Sequence, residues 1–198
     1  RMKKVGLFFG TFNPIHIGHL ALAEFFQKST DLEEVWLVVT PLNPFKKKSN
    51  LLPDRERLHL VRLALENQIG LRASDIEFNL QTPNYTAQTL AYLREKFPET
   101  IFSVIMGEDN LKTLHKWRNY ESIADNHDIL VYPRHPLPNE EMIDLNWQDK
   151  YPRAQLVAAP KMEISASMIR KSFAEGKGFR NLLPKAVFDY IEGSNLFK

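Results

Sequence analysis

The chain has 198 residues, 43% apolar and 25% charged, the make-up of one globular domain, which excludes disordered, collagen-like and coiled-coil chains. Lys and Arg number 26 against 24 Asp and Glu, a net charge of +2, and the only basic cluster is Lys46, Lys47 and Lys48, so no nucleic-acid footprint is expected. Cysteine is absent, which removes thiol nucleophiles, disulfides and thiolate metal ligands, and no apolar run approaches the roughly 18 residues of a membrane span. A cytoplasmic protein is expected, with no membrane partner. Arg1 before Met2 reads as an expression remnant, leaving residues 2–198 as a single domain.

In chain order, residues 3–9 form an apolar run closed by Gly10, the pattern of a buried parallel strand. A helix comes next, from near residue 15 to 29, carrying Ile17, Leu20, Leu22, Phe25 and Phe26. Residues 35–39 are a second strand, and 40–53 a loop marked by Pro41, Pro44 and Pro53. The spacing of Leu58, Val61 and Leu65, with Arg55, Arg57 and Arg62 between them, predicts an amphipathic helix over 54–67. A short strand is expected at 76–78, then a helix over 86–97 stopped by Pro98.

Residues 101–106 are another apolar strand ending on a glycine, Gly107, with helical patterns after it through Leu111 and Ile123 and a strand at 128–132. Residues 133–152, polar and proline-rich, are expected to be a loop, and 156–159 a last short strand. One helix begins at Ser165, and another runs from Pro184 to Gly193. Alternating strands and helices predict an α/β fold with a Rossmann-like, doubly wound parallel sheet and a small C-terminal helical extension. Ligands bind such sheets outside the carboxyl ends of the strands, which singles out the segments immediately after Gly10 and Gly107.

After Gly10 come Thr11-Phe12-Asn13-Pro14-Ile15-His16-Ile17-Gly18-His19, a strand end feeding a helix start with two imidazoles three residues apart. Free amides and the positive dipole end of the helix suit an anion, and Gly18 would let a phosphate approach the backbone. The residues alone also allow a helix cap plus a core histidine, or a zinc pair. Near the other end, Ile164-Ser165-Ala166-Ser167-Met168-Ile169-Arg170 puts two hydroxyls at a helix start, with Ser165 a good N-cap and Arg170 on the same helix.

The first segment resembles the G-x-F-x-P-x-H-x-G-H signature of the nucleotidyltransferase superfamily at all six fixed positions: Gly10, Phe12, Pro14, His16, Gly18 and His19. The second resembles that superfamily's I-S-x-T-x-x-R motif, with Ser167 where threonine is usual. The resemblance implies that His16 and His19 contact the triphosphate of ATP, with Thr11 in the same turn, and that Ser165, Ser167 and Arg170 hold its β and γ phosphates.

Within the superfamily the chain is most similar to the bacterial nicotinate mononucleotide adenylyltransferase family. Pro83-Asn84-Tyr85-Thr86-Ala87-Gln88-Thr89-Leu90 resembles its P-S-Y-T-x-x-T-L stretch, which implies that Tyr85 and Thr86 lie at the acceptor and that the Thr86 backbone meets the pyridine carboxylate. Gly107-Glu108-Asp109 with Leu111 and Trp117 resembles its G-x-D-x-L…W run, implying Asp109 on the ATP side and Trp117 stacked on the pyridine ring. Arg134 resembles a family arginine near the mononucleotide phosphate.

Two further positions depart from the pattern. The residue after the tryptophan, usually aromatic, is Arg118, so only its backbone N–H carries over; the P-P-H-K loop reads Pro44-Phe45-Lys46-Lys47, with a lysine to meet phosphate. The resemblance implies ATP and nicotinate mononucleotide as substrates and Mg2+ carried mainly by ATP, with no protein metal site, and it leaves a homo-oligomer open. Transfer to nicotinamide mononucleotide or a pantetheine phosphate, and a non-catalytic nucleotide-binding regulator, are the alternatives.

Overall fold

The computed structural model describes residues 1–41, 50–134 and 146–198. Six strands form one parallel sheet: β1 (Lys3–Gly10), β2 (Glu34–Val39), β3 (Leu71–Ser74), β4 (Thr100–Gly107), β5 (Ile129–Tyr132) and β6 (Ala154–Leu156), in the order β3-β2-β1-β4-β5-β6. The order reverses between β1 and β4, so the carboxyl ends of these two strands flank the switch point where such sheets bind ligands.

The apolar runs sort by alternation onto two faces. On β1, Val5 and Leu7 join one buried cluster and Phe8 the other; on β2, Val35, Leu37 and Val39 face opposite to Val38. One face is covered by α1 (Ile17–Ser29), α2 (Asp54–Leu65), α7 (Ala166–Ala174) and α8 (Lys185–Glu192), through residues such as Phe26, Leu60, Phe173 and Val187. The other is covered by α3 (Thr86–Lys96), α4 (Glu108–Thr113) and α5 (Tyr120–Asn126), through Leu90, Leu93, Leu111 and Ile123. Helices on both faces make this the expected doubly wound α/β fold, and the C-terminal helices share the core under α1 and α2. Among the described residues, no helix is long and apolar enough to cross a membrane.

Several boundaries differ from expectation. The third strand is Leu71–Ser74; the Ile-Glu-Phe alternation at 76–78 instead forms a 3-10 turn, because Ser74 Oγ accepts from Ile76 N and the Asp75 carbonyl from Phe78 N, which bends the chain off the sheet. The last strand is Ala154–Leu156, two residues early, and only the Val157 amide continues the ladder, donating to the Val131 carbonyl at 2.8 Å. Helix α1 begins at Ile17, since His16 adopts extended backbone and caps it. Of the expected loop over 133–152, residues 135–145 lie outside the described residues, and Trp147–Lys150 forms a single helical turn, α6.

Candidate active site

The loop leaving β1 is shaped by its own side chains. Phe12 takes left-handed backbone, φ 49°, and its buried ring folds back under Gly10, where a Cβ would stand 3.0 Å from the ring. His16 then caps α1 with its imidazole: Nδ1 accepts from Gly18 N at 3.0 Å and His19 N at 3.3 Å, while His19 Nδ1 accepts from His16 N at 3.2 Å. This is a capping box built from two histidines, whose rings stack 3.7 Å apart. The expected free amides are therefore largely taken up inside the box. Gly18 also makes room for the capping imidazole: a Cβ there would come within 2.8 Å of the His16 ring.

The box fixes the chemistry of both rings. With each Nδ1 accepting, the proton of each neutral imidazole sits on Nε2, leaving two N–H donors. Burial, with the charge of Arg134, lowers His16 from 6.5 to about 4, and burial, His16 and Arg134 hold His19 well below its ordinary value. Near neutral pH the pair is thus uncharged and donates hydrogen bonds, rather than acting as two cations. Phe12 and Phe8 set their edges against His19, with centroids 5.0 and 6.2 Å away.

Helix α7 brings the second motif to this loop. Ser165 caps it, its Oγ accepting from Met168 N at 3.1 Å, as expected. Arg170 donates to the Asn13 carbonyl at 2.8 Å and to Ser167 Oγ at 3.1 Å, so a guanidinium 157 positions away in sequence docks on the signature loop. Ile164, just before the cap, packs on the core, and Met162 would lie 3.5 Å from a Cβ at Gly18. A cavity of about 610 Å³ opens beside Asn50, Leu52, Ser167 and Arg170.

At the end of β4, Gly107 leaves room for Asp109 and Arg134: a Cβ there would meet Asp109 Oδ1 at 2.6 Å and Arg134 Cδ at 3.0 Å. Arg134 Nη1 donates to both Asp109 oxygens, at 3.1 and 3.3 Å. Arg134 thus stands with Asp109 and close enough to depress both histidines. Thr11, at the β1 end, is exposed.

A separate pocket of about 280 Å³ is lined by Asn84, Tyr85, Thr86, Lys116, Trp117, Arg118 and Ile123, which brings together four residues expected at the acceptor. Tyr85 occupies the N-cap position of α3 and makes no side-chain cap, so that helix start opens into the pocket. Trp117 is half-buried against the α3–α5 core. Lys46 and Lys47 lie outside the described residues.

Three residues behind these sites were not foreseen. Arg57, expected on the polar face of α2, is 0% exposed: Nε donates to the Leu52 carbonyl at 3.0 Å, Nη1 to the Thr11 and Thr40 carbonyls at 2.6 and 2.9 Å, and Nη2 to Asp54. It ties the ends of β1 and β2 together. Asn13 bonds the Asn50 carbonyl and the Leu52 amide at 2.8 and 3.1 Å. Glu77, buried, accepts from Thr89 Oγ1 at 2.6 Å while its carbonyl accepts from Asn84 at 3.1 Å, fastening the pocket wall to the chain before α3; burial raises its carboxyl. An arginine between apolar positions of a helix reads as solvated, so only Asn13, inside the signature, had a signal to find.

The cytidylyltransferase-like family profile matches residues 7–172. A Flavobacterium johnsoniae protein named "Probable nicotinate-nucleotide adenylyltransferase" is 52% identical over 196 residues, 98% of this chain and 99% of that protein. A Bacteroides fragilis protein of the same name is 43% identical over 188 residues, 95% of this chain and 90% of that one. Among solved structures, Plasmodium falciparum nicotinic acid mononucleotide adenylyltransferase complexed with NaAD superposes with a TM-score of 0.79 at 21% identity, over 98% of this chain and 97% of that one, a likeness of fold.

Proposed function

We propose that this chain, which belongs to the cytidylyltransferase-like family, transfers the adenylyl group of ATP to nicotinate mononucleotide and releases pyrophosphate. Full-length relatives carrying that activity in their names support the reaction. The observation that carries the site is the docking of Arg170 on the loop whose two histidines present Nε2–H donors.

The acceptor's phosphate monoester, with a second pKa of about 6, is already largely a dianion near neutral pH and needs no general base. Its oxygen attacks the α-phosphorus in line; the new P–O bond forms as the bond to the β-phosphate bridging oxygen breaks, and pyrophosphate carries that electron pair away. The protein's work is to hold two anions together and offset charge that grows on the α-phosphate and the leaving group. His16 and His19 do so as neutral donors, and Arg170 with Ser165 and Ser167 supplies fixed charge and hydroxyls toward the β and γ phosphates.

Lowered pKa values keep the imidazoles from adding two charges beside Arg134. Trp117 and the Thr86 and Arg118 backbone amides would hold the pyridine ring and its carboxylate. Magnesium, when bound, neutralises charge across the phosphate oxygens. Among the described residues no three His, Asp or Glu side chains stand together as a metal site, and the oxygen-rich triphosphate suits this hard ion.

The test is pyrophosphate release with ATP, magnesium and, in turn, nicotinate mononucleotide, nicotinamide mononucleotide and phosphopantetheine. The highest kcat/KM is expected with the nicotinate ester. No release with either pyridine mononucleotide refutes the reaction.

A further inference from the structure

The geometry points to the Arg118 side chain as a specificity-determining group that selects an acidic over an amidated pyridine ring. This inference rests on the reaction proposed above. The residues lining the pocket include two cations, Lys116 and Arg118, and no carboxylate. The Arg118 guanidinium lies over the Tyr85 ring, 4.9 Å from its centroid, and among the described residues it forms no ion pair. Arg134 and Arg153, also exposed, are instead paired with Asp109 and Asp128. Arg118 is parked on an aromatic face at the wall of a pocket that also contains Trp117.

The turn that aims it is well defined. Trp117 N donates to the Leu114 carbonyl at 2.9 Å and Tyr120 N to the Trp117 carbonyl at 3.2 Å, with Asn119 in left-handed backbone at φ 55° closing the turn into α5. Tyr85 is fixed from the other side, at the start of α3, where Asn84 is tied to the Glu77 carbonyl.

Chemistry gives the direction. An N-ribosylated pyridine ring carries a positive charge. With a carboxylate on it the ring is a zwitterion; with a carboxamide it is a net cation. A guanidinium at the pocket wall attracts the carboxylate by charge-assisted hydrogen bonding and repels the cationic ring, so the one group both rewards the acid and rejects the amide. A partly exposed charged contact of this kind is worth roughly a factor of ten in relative kcat/KM.

The experiment measures kcat/KM for nicotinate and nicotinamide mononucleotides with the wild-type chain, Arg118→Gln, Arg118→Lys and Tyr85→Leu. We expect Arg118→Gln to lower the acid-to-amide ratio about tenfold, Arg118→Lys to retain most of it, and Tyr85→Leu to lower it in the same direction with no further loss when combined with Arg118→Gln. An unchanged ratio in Arg118→Gln, or equal losses on both substrates, overturns the assignment while leaving the reaction in place. A wild-type chain that turns over neither mononucleotide overturns the reaction and this inference with it.

Discussion

Replacing His16 with asparagine separates its titration from its capping role, because asparagine is itself a favoured N-cap and can accept from the first-turn amides now bonded to His16 Nδ1. In the folded chain His16 is lowered from 6.5 to about 4; in the unfolded chain it returns to its ordinary value. A depressed value means that the unfolded state takes up the proton first, so the contribution to stability is complete above 6.5 and is lost as pH falls toward the folded value near 4. Between about pH 8 and about pH 5 the loss from this group amounts to about 2 kcal/mol. His19, also lowered and partly by His16, acts in the same direction. Urea unfolding of wild type and His16→Asn at both pH values isolates the term from the carboxylates common to both. The wild type should lose about 2 kcal/mol more than the variant on acidification. Equal losses would show that His16 titrates normally and would refute a buried, neutral capping imidazole.

The same geometry sets three further outcomes. His19→Ala should lower kcat by on the order of a hundredfold or more, as for loss of an oxyanion donor, with an unaltered far-UV spectrum; steady-state kinetics with unchanged turnover would remove His19 from the site. Trp117→Ala should raise the KM for the pyridine mononucleotide far more than that for ATP, and an unchanged acceptor KM would refute the stacking role. Arg57→Met should cost about 3 kcal/mol or more in urea unfolding, because three backbone carbonyls lose their donor, whereas a loss below about 1 kcal/mol would mean that water replaces the guanidinium freely.

The central sheet was legible because β1, β2, β4 and β5 are apolar runs buried on both faces, and two of them end on glycines at the switch point. The edge strands were not: Leu-Arg-Ala-Ser in β3 and Ala-Gln-Leu in β6 are short and half-exposed, so their placement depends on the neighbouring strand rather than on their own pattern. The signature singled out the loop after β1, yet the contacts within it needed coordinates. Whether His16 accepts from amides or leaves them free depends on a χ angle, and the purpose of Gly18 depends on that ring's position. Arg57 was illegible for a general reason: three carbonyls from separate segments make burying its charge favourable, and no local window contains all three.

Imidazole nitrogen NMR of histidine-labelled chain near neutral pH, with and without magnesium and a non-hydrolysable ATP analogue, tests most directly whether two uncharged rings meet the polyphosphate. Both His16 and His19 should appear as neutral Nε2–H tautomers, and both Nε2 signals should move when the analogue binds. Doubly protonated rings, or Nε2 signals that the bound analogue leaves in place, would contradict a site built on neutral donors.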